Sequence, residues 1–284
     1  MDQQVFRVRF WGTRGSLPVS GPQFVGYGGN TACIELTCGP HTLILDAGSG
    51  IRQAGDAMLE AGIDDFDLFF THSHYDHIIG LPFFAPLYCP NIRASVWSGH
   101  LAGRMTTGEM LKAFMQPPWF PVNLDICKAN IASRDFVAED VLTPRKGITI
   151  RTAGLNHSGG CIGYRVEWGG RAVALISDTE HEPGQLDASV LRLIQDADLV
   201  IYDCTYTDQE MAHRSGYGHS TWQEGVKLCE AAGARRLALF HHDPARTDAE
   251  LGDIEREAGK AFAGAFAASD GLTLDIAPHV HDKA

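Results

Sequence analysis

A chain of 284 residues with 44% hydrophobic and 20% charged residues has the composition of a folded globular protein with enough apolar side chains for a sizeable core. Its formal charge of -12 at pH 7 disfavours long nucleic acids as partners, because binding to phosphate backbones draws on clustered Lys and Arg. No apolar run is long enough to span a bilayer, no secretory signal is visible over Met1 to Arg9, and the seven cysteines are scattered without a C-x-x-C pair, so a cytoplasmic protein with reduced thiols, no membrane contact and no disulfide framework is expected.

In chain order, Val5 to Trp11 alternates in strand fashion and breaks at Gly12-Thr13-Arg14-Gly15. Strands are predicted at Ala32 to Thr37 and His41 to Leu45, joined at Gly39-Pro40 and followed by Asp46-Ala47-Gly48-Ser49-Gly50. After a helix over Ile51 to Ala61, the apolar run Phe66 to Phe70 reads as a buried strand ending at Thr71-His72. Residues 81–143 hold a strand at Ala94 to Trp97, a helix over Leu101 to Met115 and the proline-rich stretch Gln116 to Pro121. We expect this segment to be an elaboration beside the active site, serving as a lid, an oligomer contact or a plain surface excursion. The strand rhythm resumes at Ile148 to Ala153, Ile162 to Trp168, Ala172 to Ile176 (ending in Ser177-Asp178), Leu199 to Asp203 and Leu237 to Phe240, with a helix over Thr221 to Ala232. With no repeat and no low-complexity linker, a single domain over 1–284 is the simplest organisation.

The most specific local signal is His72-Ser73-His74-Tyr75-Asp76-His77, an H-x-H-x-D-H cluster just after a buried strand. Three imidazoles and a carboxylate within six residues would each need a partner if desolvated, and a metal ion supplies one to all of them. The donors suit zinc and also manganese or iron. A bound cation would also let an acidic protein accept a small anionic substrate.

This cluster resembles the signature of the metallo-β-lactamase superfamily, and the resemblance runs through nearly the whole chain. His157 in Asn156-His157-Ser158-Gly159-Gly160, Asp178 in Ile176-Ser177-Asp178-Thr179 and His241 in Leu239-Phe240-His241-His242-Asp243 match the family's later ligands. The resemblance implies an α/β (α+β four-layer) αββα sandwich. It also implies two divalent ions, zinc first with manganese or iron as alternatives. His72, His74 and His157 would hold one ion and Asp76, His77 and His241 the other, with Asp178 and a hydroxide shared between them. His242 rivals His241 for the last place. Asp46, at a strand end, is expected to accept a hydrogen bond from a ligand imidazole, or else to be a simple turn residue.

Three further pieces, Phe10-Trp11-Gly12-Thr13-Arg14-Gly15, Gly29-Asn30-Thr31 and Gly218-His219-Ser220-Thr221, resemble the phosphodiesterase branch that contains RNase Z and the phosphoribosyl cyclic phosphodiesterases. His219, one helix and a strand before His241, would return to the metal edge to protonate a departing alkoxide or stabilise the phosphorane oxygens, and Asp76 and His219 are the expected catalytic residues. The competing view of His219 is an incidental neighbour of a helix cap at Ser220 or Thr221. Arg14 and His181 are further candidates for a phosphate contact. His100, His213, His279 and His281 are read as surface or packing residues, and Met58, Phe83 and Phe84 as core or pocket wall. The long arm that bacterial RNase Z enzymes insert before the bridging aspartate has no room between His157 and Asp178, so a small cyclic phosphodiester (cyclic nucleotide or cyclic phosphoribose) is the first expected substrate. Hydrolysis of a carbonyl bond, as in lactonases, thioesterases or β-lactamases, and tRNA 3′ processing are the alternatives, and a homodimer is expected by analogy with the branch.

Overall fold

The computed structural model describes residues 5–278. The N-terminal half of the chain runs β1 (Phe6–Gly12), β2 (Cys33–Cys38), β3 (His41–Leu45), α1 (Ile51–Glu60), β4 (Asp65–Phe70), α2 (Tyr75–Ile78), β5 (Arg93–Ser98), α3 (Thr107–Phe114) and β6 (Asn130–Asp135). It continues through β7 (Val141–Leu142), β8 (Ile148–Leu155), β9 (Cys161–Trp168), β10 (Arg171–Ile176), α4 (Ala188–Ile194), β11 (Leu199–Asp203), α5 (Asp208–Met211), α6 (Trp222–Ala232), β12 (Leu237–Phe240), α7 (Asp248–Ala261), β13 (Ala265–Ala267) and β14 (Thr273–Asp275). One sheet has the order β14-β1-β2-β3-β4-β5-β6 and the other β13-β12-β11-β10-β9-β8-β7.

Side-chain parity along the strands builds the layers. Phe10, Leu36, Leu43, Leu45 and Phe69 of the first sheet meet Ile150, Tyr164, Val166, Val173, Leu175 and Phe240 of the second in one buried core. On the other face of the second sheet, Ala174, Ile176, Val200 and Tyr202 pack on Val190 and Leu193 of α4 and Leu228 and Cys229 of α6. On the outer face of the first, Ile44, Phe66, Leu68 and Phe70 cover Ile51, Ala54 and Met58 of α1 and Met110 and Leu111 of α3. Each central strand is therefore buried on both faces, which is why β10 is apolar from Ala172 to Ile176 and β4 is apolar apart from Asp65 and Asp67, both of which pair with Arg145. The layers are helix, sheet, sheet, helix, as the αββα expectation has it.

The strands β3, β4 and β5 run parallel to one another, as do β10, β11 and β12, so their C-terminal ends gather at one edge of the sandwich. The residues that follow them are Asp46, Thr71-His72, Ser177-Asp178 and His241, while Asp203 ends β11. Ligand sites at such an edge follow from topology.

Residues 81–143 supply β5 and β6 of the first sheet and β7 at the edge of the second, and α3 packs on β5 and β6. The helix expected from Leu101 begins only at Thr107, because Gly103 takes φ +75 and Thr106 caps the helix in a reciprocal pair with Glu109. The edge strands β6, β13 and β14 and the helices α4 and α7 are not among the sequence-based elements. No helix among the described residues is long and apolar enough to cross a membrane.

Candidate metal centre

Two groups of donors meet at the strand-end edge: His72, His74 and His157 in one, and Asp76, His77, Asp178 and His241 in the other, the ligand atoms of each lying within 4.8 Å of one another. Asp178 stands between them. Its Oδ1 is 3.2 Å from Nε2 of both His77 and His241, and its Oδ2 is 3.6 Å from Nε2 of both His72 and His157. Asp76 Oδ2 lies 3.1 Å from His241 Nε2 and accepts the Ser16 N–H at 2.7 Å.

Local backbone conformation places three of these carboxylates and rings. Asp46 (φ 62), Asp178 (φ 52) and His241 (φ 60) all adopt the left-handed region, each within two residues of a strand end. Non-glycine residues there cost on the order of 1–3 kcal/mol each and persist where the surroundings over-determine them. The resemblance piece ending in Gly15 also has a local reason: a Cβ on Gly15 would stand 2.3 Å from the His241 ring.

The outward nitrogens of the rings are committed. Asp46 Oδ2 accepts from His77 Nδ1 at 2.8 Å and from Thr71 Oγ1 at 2.8 Å, while its Oδ1 accepts the Thr71 N–H. Asp46 is thus the imidazole acceptor expected of it. Thr205 Oγ1 meets His241 Nδ1 at 3.1 Å and the Gly218 carbonyl meets His157 Nδ1 at 2.8 Å. With Nδ1–H of His77, His157 and His241 turned outward, their Nε2 atoms face inward as lone pairs: His77 Nε2 and His241 Nε2 are 3.2 Å apart, and His157 Nε2 is 3.0 Å from His74 Nδ1, the inner nitrogen of that ring. His72 Nε2 is buried with no hydrogen-bond partner. Lone pairs converging in this way, with an orphaned imidazole nitrogen among carboxylates, fit divalent cations of the zinc type.

His219 joins the same cluster. Its Nδ1 is 3.0 Å from Asp203 Oδ2 and 3.9 Å from Asp178 Oδ2. Burial pulls this imidazole down, but the charge and hydrogen bond of Asp203, with Asp178 and Asp76 behind, raise it to about 9. Burial likewise pushes Asp178 up, and His241, His77 and His72 outweigh it and hold the carboxyl well below its usual range. The cap of α6 is Thr221, which accepts the Glu224 N–H, so the helix start and His219 do separate work. Ser16, Ser73, His74, Tyr75, Asp76, Asp178 and His219 line a cavity of about 320 Å³ over the cluster.

Other sequence candidates fall elsewhere. His242 Nε2 bonds the Ala268 carbonyl at 2.8 Å, away from the cluster, and burial drives its pKa down to about 3, so His241 is the residue that converges on the centre. Arg14 is fully buried, with Nε on the Gly28 carbonyl, Nη1 on the carbonyls of Asp243 and Arg246, and Nη2 3.9 Å from Asp248 Oδ1, so it clamps the loops and is not on the wall of the cavity over the cluster. His181 stacks on Tyr202 and bonds its hydroxyl, on the wall of a neighbouring cavity that shares His219. His100 is buried and meets Ser73 Oγ at 3.0 Å, so it braces the His-rich segment rather than facing solvent. Met58 and Phe84 are core, whereas Phe83 is 61% exposed. His213 is at the surface, and His279 and His281 lie outside the described residues. Sequence reasoning passed over Asp203 and Thr205. Asp203 carried a signal, since it ends an apolar strand just as Asp46 and Asp178 follow theirs.

The family described as the beta-lactamase superfamily domain matches residues 41–242. Over 326 aligned residues, covering 95% of this chain and 96% of the relative, the sequence is 27% identical to a ribonuclease Z of Gemmatimonas aurantiaca. It is also 27% identical to a ribonuclease Z of Natronomonas pharaonis, across 95% of this chain and 97% of that one. Among solved structures, a metallo-beta-lactamase fold protein of Bacillus subtilis, YhfI, superposes with a TM-score of 0.73 at 18% identity, covering 96% of this chain and 99% of that one. A diphosphatase from the PhnP family gives 0.69 at 20% identity (95% and 97% covered), and the short form of human tRNase Z gives 0.67 at 19% (96% and 100% covered). The chain therefore belongs to the beta-lactamase superfamily and has the metallo-β-lactamase fold.

Proposed function

We propose that this metal-dependent phosphodiesterase binds two divalent cations, one at His72, His74 and His157 and one at Asp76, His77 and His241, and cleaves RNA in the manner of a tRNA 3′-processing ribonuclease Z. The observation that carries the chemistry is the division of Asp178, whose two carboxylate oxygens face different donor groups, with the His219–Asp203 pair beside them. Zinc-type ions held there would supply a nucleophile at neutral pH and compensate charge developing at phosphorus.

The chain's own groups do the rest. Asp46, Thr205 and the Gly218 carbonyl fix the ring orientations, so the donors need no rearrangement when substrate arrives. Asp76, steadied by the Ser16 N–H and lining the cavity, is placed to take a proton from the attacking water. His219, with Nδ1 on Asp203, has Nε2 free to protonate the departing oxygen, and Asp203 keeps it charged for that step. The cytoplasm is the compartment proposed for this activity, in keeping with seven free thiols.

The RNA reading rests on relatives named ribonuclease Z that align over almost the full length, and it reverses the order expected from the sequence. A small cyclic phosphodiester remains the second reading on a specific observation: β9 and β10 are joined only through Gly169 and Gly170, so no arm for RNA projects there. Glu180, Glu182, Asp208 and Glu224 line the adjoining cavity, which repels a polyanion. The test is hydrolysis by zinc- or manganese-loaded protein of a tRNA precursor with a 3′ trailer, 2′,3′- and 3′,5′-cyclic nucleotides, a lactone and nitrocefin. Trailer removal ahead of the cyclic nucleotides supports the first reading and the converse the second; turnover of only the lactone or nitrocefin overturns both.

A further inference from the structure

Glu180 lies two residues beyond Asp178 and does not touch the donor cluster, yet its carboxylate gathers the loop on which two of the site's histidines depend. Oε1 accepts the Gly216 N–H at 2.7 Å and the Ser215 hydroxyl at 3.2 Å, and Oε2 accepts the Gly218 N–H at 2.8 Å. Its backbone is tied to the residue before His157: the Glu180 N–H donates to the Asn156 carbonyl at 3.0 Å, and the Asn156 side-chain amide donates to the Glu180 carbonyl at 2.8 Å. Two backbone N–H groups of one loop, from Gly216 and Gly218, converging on one carboxylate form a charge-assisted clamp.

What the clamp holds is a loop fitted against an imidazole. Gly216 and Gly218 take φ +87 and +79, and a Cβ on Gly218 would stand 2.4 Å from His157 Nδ1. The Gly218 carbonyl accepts the His157 Nδ1–H at 2.8 Å, which commits Nε2 of that ring to the centre as a lone pair. The next residue is His219, whose Nδ1 is on Asp203. A single carboxylate thus closes a path of hydrogen bonds that ends at a donor nitrogen on one side and at the proton donor on the other.

We propose that Glu180 is a positioning residue that sets the tautomer and orientation of His157 and the placement of His219 together. This inference rests on the assignment of His157 to the metal centre. Residues 213 to 217 are exposed, so releasing the loop frees backbone groups to water without opening the core. The fold survives the loss of Glu180; the alignment of the two rings does not.

The experiment uses the full chain with Glu180→Gln, which keeps the size but turns an amide against the loop N–H groups, and Glu180→Asp, which keeps the charge but shortens the reach. In chelator competition, Glu180→Gln should keep the thermal midpoint and one tightly held zinc equivalent, while the second weakens by about ten- to hundred-fold. The His157 Nδ1–H proton resonance of the zinc-loaded protein should broaden through exchange, and kcat should fall with KM little changed. Glu180→Asp should be intermediate. Wild-type affinity for both equivalents together with an unaltered resonance in Glu180→Gln would overturn the proposal alone. A wild-type protein that binds no zinc would overturn the ligand assignment and this proposal with it.

Discussion

The two donor groups are built differently. Asp76, His77, Asp178 and His241 are all buried, whereas in the other group only His72 is, His74 being exposed and His157 sitting between exposed neighbours on a loop. The buried group is braced by side chains of the strand ends, Asp46 and Thr71 on His77 and Thr205 on His241. In the open group Thr71 Oγ1 also meets His72 Nδ1, at 3.0 Å, while His157 relies on a loop carbonyl, Gly218. Buried donors braced by neighbouring side chains lose little freedom on binding a cation, whereas loop-held donors give up more. The cavity over the centre is lined from both groups, by His74 on one side and Asp76 and Asp178 on the other. Asp178 is shared by both halves, so what separates them in rigidity is joined in chemistry.

The largest way to break this comparison is to remove the shared residue. Asp178→Ala should weaken both metal equivalents at once and remove about 5 kcal/mol of barrier lowering, roughly four orders of magnitude in kcat/KM. Metal content by elemental analysis together with turnover checks this, and loss confined to one equivalent would show that the two halves are independent. A smaller effect sharpens it. His219→Ala removes none of the seven assigned ligands and should retain both metal equivalents while kcat falls about 10²- to 10⁴-fold. The drop should be milder for a substrate whose leaving group is acidic, such as bis-p-nitrophenyl phosphate, than for one that leaves as an alkoxide. An equal drop for both substrates removes His219 from the proton-transfer step.

Donors of both halves were legible in the sequence. His72 to His77 stands out because it compresses two donors of each group into one segment, and Asp178 and His241 of the buried half, with Asp46 beside them, each follow an apolar strand. Core periodicity delivers the central strands β3, β4, β8 to β12 and helices α1 and α6 with boundaries shifted by a residue or two. The edge strands β6, β13 and β14 were hidden, since a short strand paired on one side has mixed polarity and no run to mark it. The helix α7 was overlooked although Thr247 and Glu250 form a reciprocal cap. The hydrogen bonds that orient the open half were illegible for a different reason. Glu180, Gly218 and His157 are far apart along the chain, and a carbonyl acceptor has no side chain to betray it. Arg14 shows the opposite failure: an arginine in a recognisable motif invites a phosphate contact, but complete burial against three carbonyls gives it a structural task.

The central claim is that phosphodiester hydrolysis belongs to cations held by these two unequal groups. The most direct measurement is a graded chelator titration of zinc-loaded protein, following bound metal and hydrolysis of bis-p-nitrophenyl phosphate together, then restoring zinc. Two equivalents per chain are predicted, the first leaving at low chelator and taking the activity with it, the second at higher chelator, with activity returning on reconstitution. Full hydrolysis by protein stripped of metal would contradict the account.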